Sequence, residues 1–164
     1  MKPRYEGKAL KRLLLIPFCL IGMLATASAN AASPAMPIEQ AMAEKPFADA
    51  KVALQISDTQ PFKQTLVLNV ASNLLKHYGR DKVDVEIVAF GPGLRLLFED
   101  NAQSERIARL AEAGVRFSAC QNTMTNMAKK LGHAPTLNPN AGIVPAGIVR
   151  MVQLDEAGYF VAKP

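Results

Sequence analysis

The chain has 164 residues, 49% apolar and 20% charged, with a formal net charge of +5; this is close to the composition of an ordinary globular domain. The first 29 residues hold five of the 19 basic residues and one of the 14 acidic ones, so the remainder balances 14 against 13, a net of +1. That balance, with no basic stripe interleaved with aromatics, excludes a nucleic-acid or membrane-surface role argued from charge.

Lys2, Arg4, Lys8, Lys11 and Arg12 form a basic head, 13–25 an apolar stretch, and Ala27-Ser28-Ala29 or Ala29-Asn30-Ala31 a small-x-small cleavage site. This pattern predicts a secretory signal peptide over 1–29, a periplasmic location and no membrane association after cleavage. The competing reading is an uncleaved anchor, since no charge stands between Arg12 and Glu39. Pro17 and the small polar run after Leu24 cut the apolar core short of the ~20 residues a span requires. Cys19 follows Ile16-Pro17-Phe18 rather than the small residues of a lipid-attachment site, and leaves with the signal. Cys120 then becomes the single cysteine of the exported chain, where an internal disulfide is impossible. It is a buried apolar filler, an intermolecular bridge or a reactive thiol.

Residues 30–50, rich in Ala, Pro and Met without a period, read as a flexible lead-in, and the folded domain as 51–164. Strand-like 52–57 is followed by turn and cap residues, then by a helix over 62–78 with Leu66, Val70 and Leu74 at helical spacing, closed by Gly79. The strand predicted over 83–90 alternates at first and ends as a continuous apolar run, as if only its second half were covered on both faces. Gly91-Pro92-Gly93 breaks it, and 94–98 is either helical or extended. A helix over 102–113 stops at Gly114. Then come a strand over 115–119, a helix over about 123–131 capped by Asn122 or Thr123, an apolar run over 142–145, a helix over about 146–157, and a last strand over 159–161.

Strand and helix alternate with connections too long for hairpins. The expected fold is therefore α/β, a single domain with a mostly parallel five-stranded sheet and helices on both faces. Such sheets place ligands at the carboxyl ends of strands, which gathers Ser57-Asp58, Phe90-Gly91-Pro92-Gly93 and Cys120-Gln121-Asn122 toward one crevice. Cys120 stands where a strand hands over to a helix N-terminus, whose unpaired N–H groups favour a thiolate. It is the candidate catalytic residue, with Asn122, Thr123, Gly91 and Gly93 as candidate substrate-binding residues.

The tail, Val144-Pro145-Ala146-Gly147 followed by a short helix and Gly158-Tyr159, resembles the ending of the DsrE/DsrF-like family of sulfur-relay proteins. Gly114-Val115-Arg116-Phe117-Ser118-Ala119-Cys120 resembles that family's strand-plus-cysteine segment, and Val88-Ala89-Phe90-Gly91-Pro92-Gly93 its second-strand exit. The resemblance spans 51–164. It implies a flavodoxin- or Rossmann-like sandwich, assembly as a homo-oligomer (trimer or hexamer), and a cysteine that carries sulfur as a persulfide between donor and acceptor proteins, without a cofactor. Cys120 is the matching position. Two features differ from the family's pattern: the export signal, and Gln121 where a glycine is usual.

Other chemistries fit less well. A cysteine hydrolase needs a histidine beside the thiol, but His77 and His133 both fall at helix C-termini, where the helix dipole alone favours a cation. Met124 and Met127 have the softness to bind Cu(I) but stand at core-filling spacing, so no metal is assigned. Gly91-Pro92-Gly93 lacks the rest of a dinucleotide fingerprint and reads as a turn. A binding or assembly module that has kept the fold without the chemistry is the alternative function.

Overall fold

Every strand and helix expected from residue 51 onward is present in the computed structural model, which describes residues 33–164. The predicted signal peptide over 1–29, its cleavage site and Cys19 lie outside the described residues. Strands β1 (Ala50–Ile56), β2 (Val83–Ala89), β3 (Val115–Cys120), β4 (Ala141–Val144) and β5 (Phe160–Ala162) form one sheet in the order β4-β3-β2-β1-β5. Every neighbouring pair is parallel.

From β1 to β4 the chain steps across the sheet in one direction. The connections are α2 (Pro61–Tyr78), then a 3-10 helix (Gly91–Leu97) with α3 (Ser104–Glu112), then α4 (Gln121–Leu131). It returns through α5 (Gly147–Glu156) to place β5 on the far side of β1. Parallel crossovers are right-handed, so reversing the direction of travel moves the connection to the opposite face. α2, α3, α4 and the 3-10 helix accordingly share the larger core with Val52, Leu54, Ile87 and Phe117. Met151 and Leu154 of α5 pack on Ala53 and Val88 from the other side.

The undecided run 94–98 lies in the 3-10 helix, with Leu94, Leu96 and Leu97 fully buried. Each such leucine contributes roughly 1.5–3 kcal/mol of burial. Gly93 lets this piece close on the exit of β1, because a Cβ there would stand 2.5 Å from the Ile56 carbonyl oxygen.

Two expectations are corrected. The described part of the expected lead-in, 33–50, is ordered on the domain. Ile143 N–H donates to Ser33 O (2.9 Å) and Ala35 N–H to Ile143 O (2.8 Å), which continues the sheet past β4. A helix, α1 (Ile38–Glu44), buries Ala41, and Lys45 Nζ donates to the carbonyls of Val83 (2.9 Å) and Gly114 (3.2 Å). Backbone pairing and one lysine stem leave no repeat in the sequence, hence the misreading. The second correction concerns β2, which is buried along its whole length rather than only in its second half.

The alternating Asp84 and Glu86 face α5 as members of a closed ionic cluster. Arg116, opposite Glu86 in the register, donates Nε to Glu86 Oε2 (3.2 Å), Nη1 to Asp84 and Nη2 to Tyr159 Oη (3.1 Å). Arg150 of α5 donates Nε and Nη2 to the two oxygens of Glu86 (2.7 and 2.8 Å), and Nη2 also to Met36 O (3.0 Å). Ser118 Oγ donates to Glu86 Oε1 (2.6 Å), and the Tyr159 hydroxyl donates to Asp84. Two carboxylates meet two guanidiniums, and no buried side-chain polar atom among the described residues lacks a partner. Burial pushes the Glu86 carboxyl up, but hydrogen bonding and charge from Arg150, then Arg116, bring it below the usual range.

Candidate functional site

Cys120 is both the last residue of β3 and the N-cap of α4. The expected cap at Asn122 or Thr123 is thus displaced: the helix begins at Gln121, directly after the strand, and both residues lie in its first turn. Along β3, Phe117 and Ala119 enter the larger core, while Arg116 and Ser118 face α5. Alternation sends Cys120 the same way as Arg116 and Ser118. There the exit of β4 lies alongside, with Val144 opposite Cys120 in the register, and the chain turns through Pro145 and Ala146 into α5.

The thiol thus sits at the first turns of two helices. Burial raises its pKa, but hydrogen bonding by the Thr123 side chain and by the backbone N–H groups of Gly147, Thr123 and Asn122 outweighs that, and the net shift is downward. Gly147, the first residue of α5, has to be glycine: a Cβ there would lie 2.7 Å from Phe90 Cδ1. Thr123 Oγ1 also accepts from Gly91 N–H (2.9 Å), so the exits of β2 and β3 are tied through the hydroxyl that reaches the thiol. Cys120 is 4% exposed, one residue before the exposed Gln121 and Asn122.

Of the residues expected to share one crevice, Gly91 and Pro92 border a cavity at the strand exits, whereas Ser57, Asp58, Phe90, Gly93, Cys120, Gln121 and Asn122 do not line it. Gly91 and Thr123 border a space of about 390 Å³ between the 3-10 helix and α4, together with Thr59, which follows β1. Gly93 does not reach it; it is buried against Ile56 and Ser57 and serves packing rather than a ligand. Asn122 is exposed, and its N–H donates to Pro145 O (3.3 Å). Asp58 pairs with Lys163 (3.6 Å). His77 and His133 are exposed, at the end of α2 and just after α4, and neither enters the site. Met124 and Met127 pack against the larger core. Among the described residues no three His, Cys, Asp or Glu side chains are grouped to hold a metal ion, and no helix is long and apolar enough to cross a membrane.

No protein-family model matches the chain, and no curated protein matches it. A solved structure does. The chain is similar to the protein of unknown function MTH1491 from Methanobacterium thermoautotrophicum, at 26% identity and a TM-score of 0.63, over 71% of this chain and 100% of that one. The likeness is one of fold and supports the α/β architecture. Three residues that matter to the site escape a reading of the sequence: Gly147, which belongs to a different strand exit, and Arg95 and Lys130, which line the cavity. Lys130 lies seven residues after Thr123, two helical turns along one face, and this spacing is the signal that would have found it.

Proposed function

We propose that the chain is an exported, DsrE/DsrF-like sulfur carrier that holds sulfur as a persulfide on Cys120 and passes it to a partner. The observation that carries this reading is the thiol placed between the first turns of α4 and α5, where N–H groups and the Thr123 side chain favour the thiolate. In loading, the Cys120 thiolate attacks the outer sulfur of a hydropersulfide or polysulfide donor. The donor S–S bond breaks, the donor leaves as a thiolate, and Cys120 becomes the persulfide. In delivery, an acceptor thiolate attacks that outer sulfur and Cys120 leaves as the thiolate. One neutral sulfur moves between thiolates, so neither step consumes an oxidant. The basic head, apolar stretch and small-residue tail of 1–31 support export to the periplasm. Apolar side chains on the outer surface of α5 and on β5 support self-association.

Mass spectrometry of the exported chain after treatment with polysulfide tests the reading. The expected result is the added mass of one or more sulfur atoms on Cys120, absent in Cys120→Ser. A thiol that alkylates readily yet takes up no sulfur would sink it. Retention of the cellular role by Cys120→Ser would favour the binding or assembly module instead.

A further inference from the structure

The cavity beside the 3-10 helix has its own chemistry. At about 390 Å³ it falls in the size range of small-molecule sites. Two cations line it, Arg95 and Lys130, and no aspartate or glutamate does. Among the described residues neither cation forms an ion pair. Glu99 and Asp100 border a neighbouring cavity that shares Arg95, but neither comes within pairing distance of it. A chain whose folded part carries only +1 has no general excess of positive charge to place here.

Each cation has a local explanation. Lys130 stands in the last turn of α4 and Arg95 near the end of the 3-10 helix, where the dipole favours positive charge. Those separate reasons do not account for both lining one cavity at the carboxyl ends of β1 and β2, the place where open α/β sheets bind ligands. The rest of the lining divides by chemistry. Thr59, Thr123 and Asn126 supply neutral hydrogen-bonding groups, while Pro92, Met127 and Leu131 form an apolar wall. From Thr123 to Lys130 the cavity follows α4 for about 10 Å, at 1.5 Å per residue.

We infer that this cavity binds a small organic anion, its oxyanion head held by Arg95 and Lys130 and its apolar body lying against Pro92, Met127 and Leu131. The planar guanidinium provides a two-pronged grip on a carboxylate or sulfonate, and the ammonium adds a second point charge. The inference does not depend on the chemistry of Cys120.

The test is a titration of the isotopically labelled exported chain with benzenesulfonate, followed by amide NMR. Benzyl alcohol serves as the uncharged counterpart and inorganic sulfate as the head alone. Benzenesulfonate is expected to shift the resonances of Gly91, Arg95, Thr123 and Met127. Arg95→Gln and Lys130→Gln should each weaken it about tenfold, the scale of one charge-assisted hydrogen bond. Both side chains are exposed, so the variants should keep the native spectrum elsewhere. Benzyl alcohol and sulfate should each bind at least tenfold more weakly. Equal binding of the alcohol, or undiminished binding by both variants, overturns the inference; equal binding of sulfate removes the apolar half of it. The readout involves no thiol, so its failure leaves the sulfur-carrier reading standing, and failure of sulfur uptake leaves this inference standing.

Discussion

Opposing forces set the Cys120 thiol: burial favours the neutral form, and hydrogen bonds from Thr123, Gly147 and Asn122 favour the charged one, with the second prevailing. Alkylation by iodoacetamide followed against pH should therefore show a midpoint below the ordinary cysteine value of 9.0. Thr123→Val removes one of those hydrogen bonds and should raise the midpoint, while removal of Gln121's side chain should leave it in place. A wild-type midpoint at or above that of free cysteine would mean that burial wins. The position of Cys120 between strand and helix was legible from Gly114 to Met124 alone, because an apolar run gives way there to helical spacing. Gly147 was not, because its contact with Cys120 depends on β4 lying beside β3, a fact of strand order that periodicity does not carry.

The ionic cluster between β2, β3 and α5 is a matter of elements. Glu86 is completely buried and touches Arg150, Arg116 and Ser118. Removing one partner of such a group leaves a buried charge uncompensated, which costs about 3–5 kcal/mol. Arg150→Met should lower the unfolding free energy by that amount, measured by urea denaturation, and should also loosen Met36, whose carbonyl Arg150 holds. The pH dependence follows from the directions of two shifts. Glu86 is held below its ordinary 4.5, so its contribution is present above that pH and is lost as pH falls through the lower folded value. Tyr159 is raised above its ordinary 10.0, first by burial and then by donation to Asp84, so its contribution is lost as pH rises beyond 10. Stability should thus be broadest between those limits, and Glu86→Gln should flatten the acid limb. Strands and helices were readable because their apolar periods are long. The cluster was hidden because Asp84 and Glu86 alternate with valines as surface residues do. Arg116 and Arg150, each set within an apolar run, were the available clue.

Across the whole molecule, the right-handed return from β4 to β5 leaves α5 with one face on the sheet and the other toward solvent. That outer side carries Ile148, Val149 and Val152, all exposed, and the edge strand β5 adds Val161 and a Phe160 that is 71% exposed. A short edge strand with a bare aromatic invites pairing, and monomers rarely leave a large apolar patch uncovered. The parallel sheet was legible from the alternation of elements and their long connections, but which helix would present an apolar outer surface was not, since α5 carries apolar residues at both its sheet-facing and its outward positions. If copies of the chain cover these side chains, the protein should sediment as an oligomer at micromolar concentration. Val152→Lys combined with Phe160→Asp should then release monomers. Both positions are exposed, so the variant monomer should keep its secondary structure, while its Tm loses the concentration dependence that assembly confers. Wild-type chain that sediments as a monomer, or a double variant that stays assembled, would place the contact elsewhere or remove it.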